Sequence, residues 1–274
     1  MSAQPGVRGK AWFQALTGKD SPMDGDPGSV LAADAKLGDE SARFLCIVPN
    51  PNARFPCARH GEAGLEEAYA LARRIREAMD IDTEAVKRPI VAIVDVKSQA
   101  YGRREETAAI FLAAAAAADA YASARMAGHP VIALIVGHAF SGGFLTHGYQ
   151  ANRILAFDDR DVVIHAMHEE AAARITLRTV EGLERLGHEI LPMSYDVQDY
   201  AKLGLLHRLL HVQDSDTPTV ATVAQVQKEL VDAIADARAG ATDLRNRLES
   251  AGALATRKAG LAARALMEKQ WLTA

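Results

Sequence analysis

The sequence predicts an α/β fold, and three observations carry that expectation. Two continuous apolar, β-branched runs, IVAIVDV after Pro89 and VIALIV at 131–136, have the composition of strands buried on both faces. Between them lies an Ala-rich stretch from Glu105 to Gly128 with helical character, closed by Gly128, His129 and Pro130. Short turns join these pieces, and strand, helix, strand, helix in that order is a right-handed βαβ series.

The elements follow in order. Trp12, Phe13 and Leu16 form an apolar hook, and residues 18–40 (GKDSPMDGDPGSVLAADAKLGDE) are rich in Gly, Asp, Ser and Pro. That composition reads as an extended, mobile or partner-ordered segment. RFLCIV at 43–48 is a strand stopped by Pro-Asn-Pro at 49–51. Leu65, Ala68, Leu71, Ala72, Ile75 and Met79 recur at i, i+3, i+4 spacing, so Gly64–Met79 is an amphipathic helix. After the second buried strand a helix is expected from about Gly142 to Asn152, then short strands at Ile154–Phe157 and Val162–His165. One helix is expected over Glu169–Leu186, another over Val197–Leu203, and an edge strand at Leu206–Val212. Long helices are expected over Thr219–Ala239 and Ala241–Gln270, on either side of Gly240.

Bulk properties narrow the function. The chain has 274 residues, 49% apolar and 24% charged, enough for one large or two small domains with a real core. A net charge of −4 gives no electrostatic reason to expect nucleic acid or an anionic membrane as partner. Cys46 and Cys57 match no zinc spacing and make no disulfide framework. The first residues have no apolar h-region and the longest apolar run, Ile110–Ala118, is too short for a bilayer, so a cytoplasmic setting is expected.

The chemistry concentrates in VIALIVGHAFSGGFLTHG. Gly137 is expected at the end of the strand and Ser141-Gly142-Gly143 at the start of the next helix. Amides at a helix start lack intrahelical partners, and glycine lets an oxygen approach them. An oxygen gaining negative charge there is stabilised by ~3–4 kcal/mol per donor. Close strand-to-helix packing is the other role open to these glycines. A similar joint lies upstream, where IVAIVDV runs through Lys97-Ser98-Gln99-Ala100-Tyr101-Gly102 into Arg103-Arg104-Glu105-Glu106; the two acids also suit simple helix capping.

Two such joints in succession resemble the core of the crotonase superfamily. Within it the chain resembles the carboxyltransferase branch. Val94-Asp95-Val96 with Gly102 and Glu105 is similar to that branch's V-D-x-P-G-F-x-x-G-x-x-x-E region, and Ala139-Phe140-Ser141-Gly142-Gly143 to its A-Y-G-G-A. RGKAWFQALTG, VDVKSQAYGRREE, VGHAFSGGFLTHGYQANRILAFDD and VIHAMHEEAAARITLRTVEGLE carry a closer resemblance, to the gamma subunits of biotin-independent malonate decarboxylase. Residues 97–101 depart from the wider pattern by lacking its Pro-Gly, and Ser141 stands where glycine is usual.

The resemblance implies a crotonase-like (ClpP/crotonase) spiral of ββα units with extra C-terminal helices. It divides the chain into the N-terminal segment 1–40, a carboxyltransferase/decarboxylase domain 41–215 and a helical extension 216–274. It implies a homologous beta subunit as heterodimer partner, with an acyl carrier subunit and an acyl-transferring alpha subunit. Malonyl thioester, held on a phosphopantetheine-type (dephospho-CoA-derived) arm of the carrier, would become acetyl thioester and CO2, with no biotin and no cofactor on this chain. The amides of Gly142 and Gly143, with Ser141 beside them, would be this subunit's oxyanion donors; the thioester oxygen and the departing carboxylate are both open as the group held. Phe140, Gln99, Gly102 and His165 are further candidates for substrate contact.

His138, His147, His165 and His168 match no metal-ligand spacing and suit structural hydrogen bonding better. Three rival readings stand beside the decarboxylase: a biotin-dependent carboxyltransferase subunit, a ClpP-like serine hydrolase using Ser141 and His165, and a non-catalytic scaffold. The hydrolase lacks a G-x-S-x-G elbow and an evident third triad member.

Overall fold

The two buried runs lie side by side, parallel, at the centre of one seven-stranded sheet in the computed structural model, which describes residues 5–83 and 86–273. The strands are β1 (Val30–Leu37), β2 (Glu40–Ile47), β3 (Ile90–Val96), β4 (Val131–Phe140), β5 (Arg153–Phe157), β6 (Val163–His165) and β7 (Arg208–Leu210). Their order is β1-β2-β3-β4-β5-β7, with β6 paired to the far end of β4. Only β1 and β2 are antiparallel; every later pairing is parallel, as the βαβ reading requires. Every residue of β3 is buried, which explains why its sequence does not alternate.

The helices are α1 (Val7–Thr17), α2 (Leu65–Ile81), α3 (Arg103–Thr107), α4 (Ile110–Met126), α5 (Ser141–Thr146), α6 (Glu169–Thr176), α7 (Val180–Glu189), α8 (Val197–Lys202), α9 (Val220–Ala239), α10 (Asn246–Glu249), α11 (Ala251–Thr256) and α12 (Lys258–Thr273). Helices α2 and α4 pack on each other, and α1 lies against β1–β4. Small alanines of α4, Ala113, Ala117, Ala120 and Ala124, are fully buried and allow that close approach.

The N-terminal segment differs from the expectation of an extended or partner-ordered leader. Residues 30–37 are a full strand in register with β2, and α1 is docked on the chain's own core. The acids that suggested mobility are held by arginines elsewhere. Arg43, almost wholly buried, grips both oxygens of Asp34 at 2.6 and 2.9 Å, and Arg74 binds Asp26 at 2.8 Å. The hook closes by Trp12 edge-on to Phe157 (4.8 Å), with its Nε1–H donating to the Ser215 carbonyl at 2.8 Å. Residues 1–4 of that segment, and Ala274 at the end of the C-terminal extension, lie outside the described residues.

Four expected helices are shorter than periodicity suggests, each for a local reason. The Ala-rich stretch breaks at Ala109, left-handed at φ 61°, giving α3 and α4. The helix expected over 142–152 ends at Thr146, because His147 turns extended and Gly148 takes φ 102°. Leu177 (φ 55°) separates α6 from α7, where Thr179 caps the Gly182 amide. Beyond Gly240 the single long helix becomes α10, α11 and α12, with the Ser250 side chain capping α11.

Candidate functional site

Because β3 and β4 are parallel neighbours, their C-terminal ends open at the same edge of the sheet, and ligand sites in such sheets lie there. Strand β4 runs further than expected, to Phe140, so Gly137 lies within it. Between Val94 and Val96 the β4 partner advances from Ile135 to Ala139, and the extra β4 residues bulge opposite Asp95. Gly137 is required there, since a Cβ would stand 2.3 Å from Asp95 Oδ1. The buried Asp95 carboxylate accepts the His138 amide (3.1 Å) and the Gly9 amide of α1 (3.0 Å), locking three elements together.

The two joints touch. The Gly142 amide donates to Gln99 Oε1 at 2.8 Å, and Tyr101 Oη lies 2.9 Å from Ser141 Oγ. Gly143 packs so tightly that a Cβ would stand 2.5 Å from the Ser98 carbonyl carbon. Ser141 holds the left-handed conformation (φ 54°), which costs a non-glycine residue about 1–2 kcal/mol. Helix α5 has only six residues, so its dipole is small and individual amides matter more than the helix. The first joint is stitched down by Ala63, whose amide donates to the Ser98 carbonyl (2.9 Å) and whose carbonyl accepts the Ala100 amide (2.8 Å).

The histidines have backbone or buried partners. His147 is fully buried; its Nε2–H donates to the Ile93 carbonyl (2.9 Å) and its Nδ1 accepts the Tyr121 hydroxyl (2.9 Å). Burial pushes its pKa down to about 4, so it is neutral and structural. His165 Nδ1 lies 2.9 Å from the Met167 carbonyl, and its ring stacks on Tyr195 at 3.9 Å. His168 Nε2 lies 3.1 Å from the Lys97 carbonyl, and burial lowers its pKa too. Among the described residues no group of three or more His, Cys, Asp or Glu could hold a metal ion, and no helix is long and apolar enough to cross a membrane.

Two cavities meet at Gly142. One, of about 590 Å³, has Ser141, Gly142 and His165 on its wall with Phe144, Leu145, Met193 and Tyr200, and Arg257 also lining it. The other, of about 340 Å³, is bounded by Gln99, Gly142, Leu145, Thr146, Glu106 and Phe111. Around it Tyr101, Phe111, Leu112 and Leu145 are each more than half exposed, an apolar surface of the kind a partner covers.

The structure thus gathers Ser141, Gly142, Gly143 and Gln99, and places His165 across the larger cavity. Phe140 is buried instead against His168 (4.1 Å) and belongs to a separate polar cavity of about 770 Å³ with Lys97, His138 and Tyr195. Gly102 caps α3 under the Glu105 carboxylate, away from both cavities at Gly142. A hydrolase pairing is not formed: Ser141 is bonded to Tyr101 and His165 to Met167. Tyr101 and Tyr195 were not singled out in the sequence, because neither stands at a motif spacing; only the fold brings them to Ser141 and His165.

Comparison with known proteins adds independent findings. The family described as malonate decarboxylase gamma subunit matches residues 58–271. A chain of a Pseudomonas malonate decarboxylase hetero-tetramer in complex with coenzyme A is 51% identical, with a TM-score of 0.91 over 96% of this chain and 99% of that one. A chain of the Pseudomonas malonate decarboxylase MdcD-MdcE hetero-dimer is 50% identical over the same shares, with a TM-score of 0.88. The malonyl-S-ACP:biotin-protein carboxyltransferase MADD of Malonomonas rubra is 37% identical over 165 residues, 58% of this chain and 56% of that relative. The chain therefore spans little more than half the length of this curated relative. Transcarboxylase 12S, at 16% identity and a TM-score of 0.58 over 78% of this chain and 36% of that one, shares the fold alone.

Proposed function

We propose, from the premise that this chain belongs to the malonate decarboxylase gamma-subunit family, that it forms half of a decarboxylase site with a homologous beta subunit. The substrate is malonyl thioester carried by an acyl carrier subunit, which an acyl-transferring alpha subunit loads. Breaking the carbon–carbon bond to the carboxylate releases CO2 and leaves the electron pair as an enolate. Uptake of one proton at carbon then gives acetyl thioester. The need is for fixed donors at the oxygen whose charge grows, and a covalent nucleophile is not required.

The observation that carries this reading is the Gly142 amide holding the Gln99 carboxamide oxygen at 2.8 Å. That bond brings the polar groups of both joints to one point, where the two cavities meet at Gly142. Ser141, Gly142 and Gly143 form this subunit's share of the site, with Gln99 and Tyr101 opposite them. The phosphopantetheine-type arm fits the larger cavity, which at about 590 Å³ has the size of a small-molecule site and mainly apolar walls. Phe144, Leu145, Leu191 and Met193 would hold an apolar stretch of that arm, which supplies the thioester linkage. The finer architecture proposed is the crotonase-like spiral of ββα units within 41–215, followed by the helical extension 216–274.

Co-expression with the neighbouring subunits, followed by CO2 release from malonyl thioester with and without avidin, tests the reading. Avidin-insensitive release is expected. The MADD likeness supports a second reading, carboxyl transfer to biotin; inhibition by avidin would select it, and no release at all would reject the decarboxylase.

A further inference from the structure

We propose that the Gln99 side chain is itself an oxyanion donor, with the Gly142 amide acting as its brace. The inference rests on the decarboxylase reading and deepens it. A peptide N–H can only donate, so the atom 2.8 Å from it must be the carboxamide oxygen, and the orientation of Gln99 is fixed without ambiguity. Among the described residues none accepts a hydrogen bond from the Nε2 amino group beside that oxygen. The Gly142 amide, being engaged, is not free for substrate while Gln99 stays in place.

The surroundings suit a donor. The backbone on both sides of Gln99 is pinned by the bridge to Ala63, so the side chain is presented from a fixed base. Gln99 is half-buried and lines the smaller cavity, where Phe111, Ile110 and Leu145 supply apolar walls and the exposed apolar rim is available for a partner to seal. Glu106 is the one ionisable group lining that cavity among the described residues. Sealed from water, a carboxamide polarised by the amide behind it is a stronger donor than either group alone. A Cβ at position 142 would meet Gln99 Cδ at 2.9 Å, so glycine there leaves the carboxamide its place.

Two variants of the assembled complex test the assignment. Gln99→Glu keeps an oxygen for the Gly142 amide but has no N–H at neutral pH; Gln99→Met keeps the length and loses both functions. Each is expected to lower kcat for CO2 release from malonyl thioester by about a hundredfold or more, with assembly and melting unchanged. Turnover of Gln99→Glu near that of the unaltered complex would overturn the proposal, since Gln99 would then only brace the turn. Turnover of Gln99→Met equal to or above the unaltered level would also overturn it, by showing that the side chain blocks the amide. Absence of CO2 release from the unaltered complex would fail the decarboxylase reading itself, a separate outcome.

Discussion

The two strand-to-helix joints are built on the same plan and reach their polar groups by opposite means. The second, β4 into α5, offers backbone: glycines at 142 and 143, with Ser141 forced left-handed to turn the chain. The first, β3 into α3, has its Ala100 amide occupied by Ala63 and offers side chains instead, Gln99 and Tyr101, both reaching across to its neighbour. A joint without the Pro-Gly of related sequences need not lack donors. It can carry them on side chains that the other joint holds in place.

The two joints approach each other most tightly at Gly143. A valine there would drive Cβ into the Ser98 backbone, which cannot yield as a side chain could. Gly143→Val is expected to cost about 3 kcal/mol or more of stability, read as a fall in the denaturant midpoint of the complex. Loss of turnover in that variant then reports separation of the joints, so it is a poor probe of oxyanion donation; an unchanged midpoint would show that the joints tolerate being parted.

A second tie between the joints is His147, whose Nε2–H bonds the end of α5 to the β3 carbonyl of Ile93. Its folded pKa lies near 4, below the ordinary histidine value of 6.5. The unfolded chain therefore binds more protons between those limits, and stability falls as pH drops from about 6.5 to about 4, with no further loss from this group below that. Melting across this range is expected to show that decline in the unaltered protein and a shallower one in His147→Phe, against a lower plateau. Equal slopes would remove His147 as the titrating tie.

The smallest expected effect is at Gly142. An added methyl group meets only the flexible end of Gln99, so Gly142→Ala is expected to keep stability within about 1 kcal/mol. Turnover should still fall at least about tenfold as the carboxamide is displaced. Normal turnover would mean that the second joint does not depend on the position of Gln99.

Much of this was legible beforehand. Burial on both faces writes itself into β3 and β4 as unbroken apolar runs, and the Gly-Gly pair marked the second joint because glycine there answers a backbone approach. Helix ends were less legible: Ala109, Ser141 and Leu177 adopt positive φ without being glycine, a choice made by tertiary packing. Strand β1 is masked in the sequence because the acids of residues 18–40 suggest solvation, while the arginines that hold them lie outside that segment, Arg43 on the next strand and Arg74 on α2. The Gln99 bond spans 43 residues and has no periodicity to announce it.

The docking of α1 also sets an order of events during synthesis. Arg8 and Trp12 are made well before Asp216 and Ser215, which they bind and which follow 208 and 203 positions later. At ribosomal rates of about 5–20 residues per second, the guanidinium and the indole remain without these anchors for roughly ten seconds or more. Contacts so remote in sequence close late, after local pairings such as β1 with β2. The nascent chain therefore carries α1 without these anchors while the intervening segments are made, an interval in which its apolar face can adhere to other chains.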